Sequence, residues 1–403
     1  MKSTVNDLLS VLVTLALILG QTVAADSAQA ETYRVLYSFK GGEDGAHPYG
    51  GLSRDSAGTL YGTTYKGGAY HYGTVFELLN SGKHKVLYSF GENGGDGEFP
   101  RDGWLARDKA GNLYGTTYQG GAYGYGTVFK LDKTDKETVL YSFTGGADGK
   151  EPSWGGLNLD AAGNLYGTTW EGGSSGYGTV FKVDKNGVES VVYSFAGGHY
   201  GPDGAYPYKG LIRDESDNLY GTTVNGGAFG EQGGNGTVFE VDHTGRETLL
   251  YSFGPFPDGA FPTSGLIRDA VGNIYGTTNA GGNSGACGSD VGCGTVFRLD
   301  STGKETILHN LNGGVEGGYP WGALVRDESG TLYGTANGRG AYGYGTVFKL
   351  DKRGNFTVLH AFTGGGDGGY PDAGLNRDEK GNLYGTTYQG GDDGVGTVFE
   401  LTP

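Results

Sequence analysis

The chain has 403 residues, a net charge of −16, 84 glycines, 11 prolines and 13% aromatic residues, including 29 Tyr and 18 Phe. A surface this acidic repels phosphate backbones and anionic lipid, which excludes nucleic-acid binding and membrane-surface attachment as expected roles. So many buriable rings, with glycine at fixed positions in a repeat, set the chain apart from glycine-rich disordered sequences.

The first segment has the pattern of an export signal. Lys2 lies in a short polar lead, an apolar run extends from Leu8 to Leu19, and small residues end at Ala28-Gln29-Ala30. Residues 1–30 are therefore expected to be removed, leaving 31–403 as one domain that is secreted or periplasmic. No stretch approaches the roughly 20 apolar residues of a membrane-spanning helix, so no membrane insertion of the mature chain is expected.

From Tyr33 onward the sequence repeats. Tyrosine-glycine-threonine cores begin at Tyr61, Tyr114, Tyr166, Tyr220, Tyr275, Tyr333 and Tyr384. Each copy holds four short segments rich in β-branched and aromatic residues. In the second they are Gly103 to Asp108, Asn112 to Thr117, Gly126 to Leu131 and Glu137 to Phe143, separated by turn residues. Four antiparallel strands about every 50 residues describe one blade of a propeller. The expected fold is all-β, a seven-bladed β-propeller of four-stranded antiparallel blades. A lone copy of the last segment opens the repeat region, Val35-Leu36-Tyr37-Ser38-Phe39, and the seventh copy stops after its third segment at Phe399. The strand from Tyr33 to Phe39 is thus expected to complete the last blade and leave no free edge.

The motif Gly-Asn-Leu-Tyr-Gly-Thr-Thr at Gly111 to Thr117, followed by Gly-Thr-Val-Phe at Gly126 to Phe129, resembles the GloVer-type choice-of-anchor tandem repeat family of bacterial surface and secreted proteins. The resemblance covers residues 33 to 402. It implies a bacterial exported protein and carries no activity with it.

In a propeller of this order, alternate connections emerge on opposite faces. One face receives short Asp-x-x-Gly turns, such as Asp55 to Gly58, and reads as scaffold. The other receives two longer loops per copy. The first carries Asp-Gly-x-x-Pro, starting at Asp44, Asp96, Asp148, Asp203, Asp258 and Asp367, with Glu316 in the sixth copy. Aromatic residues beside these prolines and in the second loop suit sugars or extracellular proteins, because they offer flat apolar contact with polar tips. The candidate ligand-binding residues are Tyr49, Trp154, Trp170, Tyr208, Trp321 and Tyr370. Asymmetry among the copies places any single specific site between blades three and six.

Other residue classes read as structural. The seven acids are turn formers rather than calcium ligands, since none lies in an Asp-x-Asp-x-Asp-Gly loop. Arg54, Arg107, Arg213, Arg268, Arg326 and Arg377, with Leu159 in the third copy, are each followed by aspartate and are expected to pair with acids between inner strands. Cys287 and Cys293 share one loop and are expected to form a disulfide. Repetition singles out no acid–base pair, and the seven histidines form no ligand cluster, so no catalytic residue, metal or cofactor is expected. The function these features favour is a secreted binding or interaction module that recognises a glycan or extracellular partner on its loop-rich aromatic face. The alternatives are an extracellular carbohydrate-active enzyme, hydrolase or lyase, and a purely structural surface protein.

Overall fold

The computed structural model describes residues 31–403 apart from 93, 102, 153–154, 198–200, 230–233, 284, 286 and 288–290. The export-type segment 1–30 and Trp154 lie outside the described residues.

The Tyr-Gly-Thr cores form the second strands, Leu60–Thr64, Leu113–Thr117, Leu165–Glu171, Leu219–Asn225, Ile274–Thr278, Leu332–Ala336 and Leu383–Thr387. Each is the centre of a small antiparallel sheet, and seven such sheets form a ring, a β-propeller. In the second blade the order from the axis outward is Ala106–Arg107, Leu113–Thr117, Thr127–Leu131 and Glu137–Ser142. The inner strand is shorter than the sequence suggests, because the residues before Ala106 pack against neighbouring blades at the axis instead of extending the ladder. The ring closes as expected: Thr32–Ser38 pairs antiparallel with Thr397–Thr402, with Thr32 opposite Thr402 and Val35 opposite Phe399.

Three interactions repeat around the ring and hold each blade to the next. The first is aromatic. The glycine of the Tyr-Gly-Thr core leaves room for a third-strand phenylalanine; a Cβ on Gly62 would lie 2.7 Å from the Phe76 ring. That ring takes an edge contact from the outer-strand phenylalanine of the blade before. Phe39 meets Phe76, Phe90 meets Phe129 and Phe143 meets Phe181, at centroid distances of 5.3, 5.1 and 5.1 Å. All of these rings are fully buried, and Leu311 packs in the same place against Phe348. Such pairs add about 0.5–1.5 kcal/mol beyond the area they bury.

The second is a carboxylate latch. The aspartate of each Asp-Gly-x-x-Pro element accepts a hydrogen bond from an outer-strand tyrosine, as in Tyr37 to Asp44 (2.8 Å), Tyr88 to Asp96 (2.6 Å) and Tyr251 to Asp258 (2.9 Å), and from a loop amide. His309 with Glu316 and His360 with Asp367 replace the pair in the sixth and seventh copies.

The third is a left-handed residue before proline. His47, Phe99, Glu151, Tyr206, Phe261, Tyr319 and Tyr370 all have φ between 54° and 61°. Each donates its amide to a carbonyl of the preceding blade, for example Phe99 to Tyr72 at 2.8 Å and Tyr319 to Cys293 at 2.9 Å. The proline that follows sits against a glycine of that same blade, Pro100 on Gly73 and Pro371 on Gly345. Cys287 and Cys293 form the expected disulfide.

Next to the latches, the first residue of the outer strand packs against the tyrosine or histidine of the blade before. His84 stacks on Tyr37 at 4.2 Å. At the equivalent positions Glu137, Glu189, Glu247 and Glu305 are half-buried, and their Oε1 atoms have no hydrogen-bond partner. Burial, and then the latch aspartates Asp96, Asp148, Asp203 and Asp258, push these carboxyls up to about 7 from 4.5. A folded-state value above the unfolded one means that the native state holds extra protons between those limits. The stabilisation is complete below about pH 4.5 and is lost as pH rises through 7. The thermal midpoint is therefore expected to fall from pH 5 to pH 8, and a Glu137→Gln, Glu189→Gln, Glu247→Gln, Glu305→Gln variant should show a much flatter profile by calorimetry.

Candidate functional site

The axis is the first place to look for a site in a propeller, and here one side chain fills it. Seven equivalent inner-strand positions carry Gly51, Trp104, Gly156, Gly210, Gly265, Ala323 and Gly374. The single indole occupies the space left by six small residues. A Cβ on Gly156 would lie 2.5 Å from its ring, and Gly51 and Gly265 face it at 3.6 and 3.7 Å. The remaining void, bordered by all seven blades, is about 10 Å³, no more than one water needs. That void leaves no room between the described residues for a sugar chain flanked by two acids, the arrangement that hydrolysis requires.

What remains is the loop-rich face, which divides into two sectors. On one side, the residue after each Thr-Thr pair is aromatic, giving Tyr388, Tyr65, Tyr118 and Trp170. Tyr49 packs against Tyr388 at 4.4 Å and edge-on to Tyr65 at 5.6 Å, and Tyr65 meets Phe99 at 5.2 Å. Arg101 lies among three of these rings, 5.6 Å from the centroid of Tyr49, 5.3 Å from Tyr65 and 5.2 Å from Tyr118. The Tyr118 hydroxyl donates to Glu151 at 3.1 Å; burial first, then that carboxylate, raises its phenol, so it stays a neutral donor. Beside this group, Trp170 packs on Tyr206 at 5.0 Å and Tyr208 at 5.5 Å, and the buried Lys209 reaches over the Tyr208 ring. The other sector is polar. Trp321 donates its indole N–H to Asn279 Oδ1 at 2.7 Å, and Asn337 donates to the buried Asp372.

The five sequence-derived candidates among the described residues are thus not gathered into one place; Trp154 lies outside them. Tyr49 joins the Arg101 group, while Trp170 and Tyr208 form a second group next to it. Trp321 stands in the polar sector and Tyr370 packs edge-on to Tyr344 of the sixth blade at 5.5 Å. Among the described residues the aromatic concentration spans blades seven, one, two, three and four. Arg101 and Trp104 were missed. The signal for both was in the aligned copies, since arginine follows the proline, and tryptophan stands at the small inner position, only in the second. The exposed rim of this face carries Tyr70, Tyr123 and Tyr342.

The inner-strand arginines meet acids in part as expected: Arg54 and Arg107 form long ion pairs with Asp378 and Asp55 of the preceding blade at 4.0 and 3.9 Å, and Arg213 pairs with Asp217 of its own turn. The guanidinium also lies over the neighbouring tyrosine ring, as with Arg268 on Tyr220 at 5.4 Å. The turn aspartates are already engaged by their own turns; Asp55 accepts from the amides of Ala57 and Thr59.

The Gloeobacter/Verrucomicrobia repeat matches residues 20–230 and 286–403 of the chain. No curated protein matches it in sequence. Among solved structures, the extracellular domain of a candidate one-component system from B. thetaiotaomicron superposes with a TM-score of 0.56 at 12% identity, over 91% of this chain and 39% of that one. The chain therefore spans about two fifths of that domain. A candidate 6-phosphogluconolactonase from Bacteroides uniformis superposes with a TM-score of 0.53 at 14% identity, over 86% of this chain and 91% of that one. At these identities the likeness concerns the fold.

Trp104→Ala should open a cavity along the axis and cost about 3 kcal/mol in denaturant unfolding, in the range measured for large-to-small core substitutions.

Proposed function

The chain belongs to the Gloeobacter/Verrucomicrobia repeat family, and from that premise we propose that it is an exported binding module whose loop-rich face takes a glycan on its aromatic sector. The observation that carries this reading is the grouping of Tyr49, Tyr65 and Tyr118 around Arg101, continued by Trp170, Tyr206 and Tyr208. Half-buried rings such as Tyr49, Tyr65, Tyr118, Trp170 and Tyr206, backed by the buried Tyr208, offer flat apolar area at low entropic cost, and phenol, guanidinium and carboxylate groups between them supply directional hydrogen bonds. That combination matches the alternating C–H faces and hydroxyl edges of a sugar chain.

The filled axis favours binding over turnover. A hydrolase or lyase needs acids with distinct roles on either side of the substrate, whereas the loop aspartates are held by tyrosines and loop amides. The disulfide and the export-type N-terminus support a location outside the cytoplasm, where such a bond persists. An extracellular protein presenting sugars or aromatic side chains fits the same surface.

The test is a glycan and polysaccharide array probed with the wild-type chain, with Tyr65→Ala, Trp170→Ala and, as a control in the polar sector, Trp321→Ala. Each sector variant is expected to weaken binding about tenfold, equivalent to about 1.4 kcal/mol per ring, and Trp321→Ala to leave it near wild type. Absence of glycan binding, or binding insensitive to Tyr65 and Trp170, would overturn the proposal. Turnover of a bound sugar would establish the enzyme reading.

A further inference from the structure

On the short-turn face, six of the seven junctions between blades carry an inner-strand arginine, and four of these lie over the second-strand tyrosine of the blade before. Arg54 lies over Tyr384 at 5.6 Å, Arg107 over Tyr61 at 5.6 Å, Arg268 over Tyr220 at 5.4 Å and Arg326 over Tyr275 at 5.7 Å. Arg213 and Arg377 set their charges beside Tyr166 and Tyr333. The junction between blades two and three departs from this pattern. Leu159 stands at the arginine position, and the third blade contains no arginine at all.

The missing side chain leaves space. The cleft at this junction has a volume of about 470 Å³ and is lined by Arg107, Asp108, Tyr114, Leu159 and Asp160 among others. Its walls keep what surrounds the guanidinium elsewhere. Tyr114 supplies the ring, and Asp108 supplies a carboxylate held in place by the Asn112 amide, the Asn112 side chain and the Tyr114 hydroxyl at 2.9, 2.6 and 3.0 Å. Asp160 adds a second acid from the third blade and Leu159 an apolar floor. Lys130 approaches Tyr114 at 5.9 Å, but Lys182 approaches Tyr166 at 5.8 Å while Arg213 is also present, so the lysine does not take the arginine's place. Arg107 and Lys109 border the opening.

We propose that this cleft is a binding site for one guanidinium group, supplied by a ligand from outside the chain and seated over the Tyr114 ring beside Asp108, where the repeat lacks its own arginine. A planar cation is held there by ring-face attraction and by the charge of the nearby carboxylate, as Arg107 lies over Tyr61 with Asp55 at 3.9 Å. A compact ammonium matches the slot less well, since it lacks the flat face and the forked donors. The site lies opposite the aromatic face and stands or falls independently of glycan binding.

Isothermal titration of the mature chain with arginine amide, lysine amide and glycinamide tests it. One arginine amide per chain is expected, with lysine amide at least tenfold weaker and glycinamide inert. Leu159→Arg fills the slot from within, and should abolish the arginine amide signal while raising the thermal midpoint. Tyr114→Leu should weaken binding while Leu159→Ala retains it. A peptide with a central arginine that binds more tightly than arginine amide points to a protein source for the guanidinium; equal affinity points to a small molecule. Equal binding of lysine amide, no binding, or undiminished binding by Leu159→Arg would overturn the proposal.

Discussion

The joint between blades rests on a residue forced into the left-handed region directly before a proline. Both demands oppose ordinary backbone preference, since non-glycine residues avoid positive φ and the residue before proline is pushed towards extended conformations. Each occurrence costs on the order of 1–3 kcal/mol, and the ring pays it seven times. The return is a hydrogen bond to the preceding blade and a proline ring seated on that blade's glycine. The same geometry aims the strained residue's side chain outward. An aromatic residue there, such as Phe99, Tyr206 or Tyr370, is thus first a consequence of how blades are joined. What distinguishes blades seven to four is that further rings from the second loop, Tyr388, Tyr65, Tyr118 and Trp170, gather beside the joints.

The charged residues follow the same order of priorities. Aspartates that recur in every copy look like a ring of potential ligands, yet their oxygens are taken up by Tyr37, Tyr88 and their counterparts and by loop amides. The glutamates of the outer strands are half-buried beside those aspartates, and burial first, with the neighbouring acid second, sets their unusual affinity for protons. Electrostatics in this molecule thus serves the seams between blades, and departures from the repeat become the informative positions.

Blade number, strand positions and the closing strand were all legible from periodicity, because they depend on spacing and on alternation that every copy repeats. The site was less legible, because its geometry arises between copies. Arg101 gains its surroundings from Tyr49 and Tyr65 of the first blade and Tyr118 of its own, a relation that no single copy displays. Trp321 and Trp170 are both candidates in sequence, but the Trp321 indole N–H is tied to Asn279, whereas Trp170 lies among rings. Trp104 escaped notice because its meaning depends on six small residues facing it across the axis. The arginines meet acids as expected at Arg54, Arg107 and Arg213, but the turn aspartates are engaged by their own backbone and the pairs between blades are long, so the contact with a tyrosine ring is added to them.

The pairing of Thr32–Ser38 with Thr397–Thr402 also sets an order of events in time. The first strand of the domain to be made has its only ladder partner among the last residues, so it must wait while all the intervening blades are produced. The entropy of holding so long a loop grows only slowly with length, but the delay grows with every residue. Until the final strand arrives, the seventh blade has no outer strand, and the first strand, Val35-Leu36-Tyr37 included, is an unpaired β-edge. Completion of the ring is thus a single late step, and it couples the integrity of both ends of the chain to one zipper of hydrogen bonds.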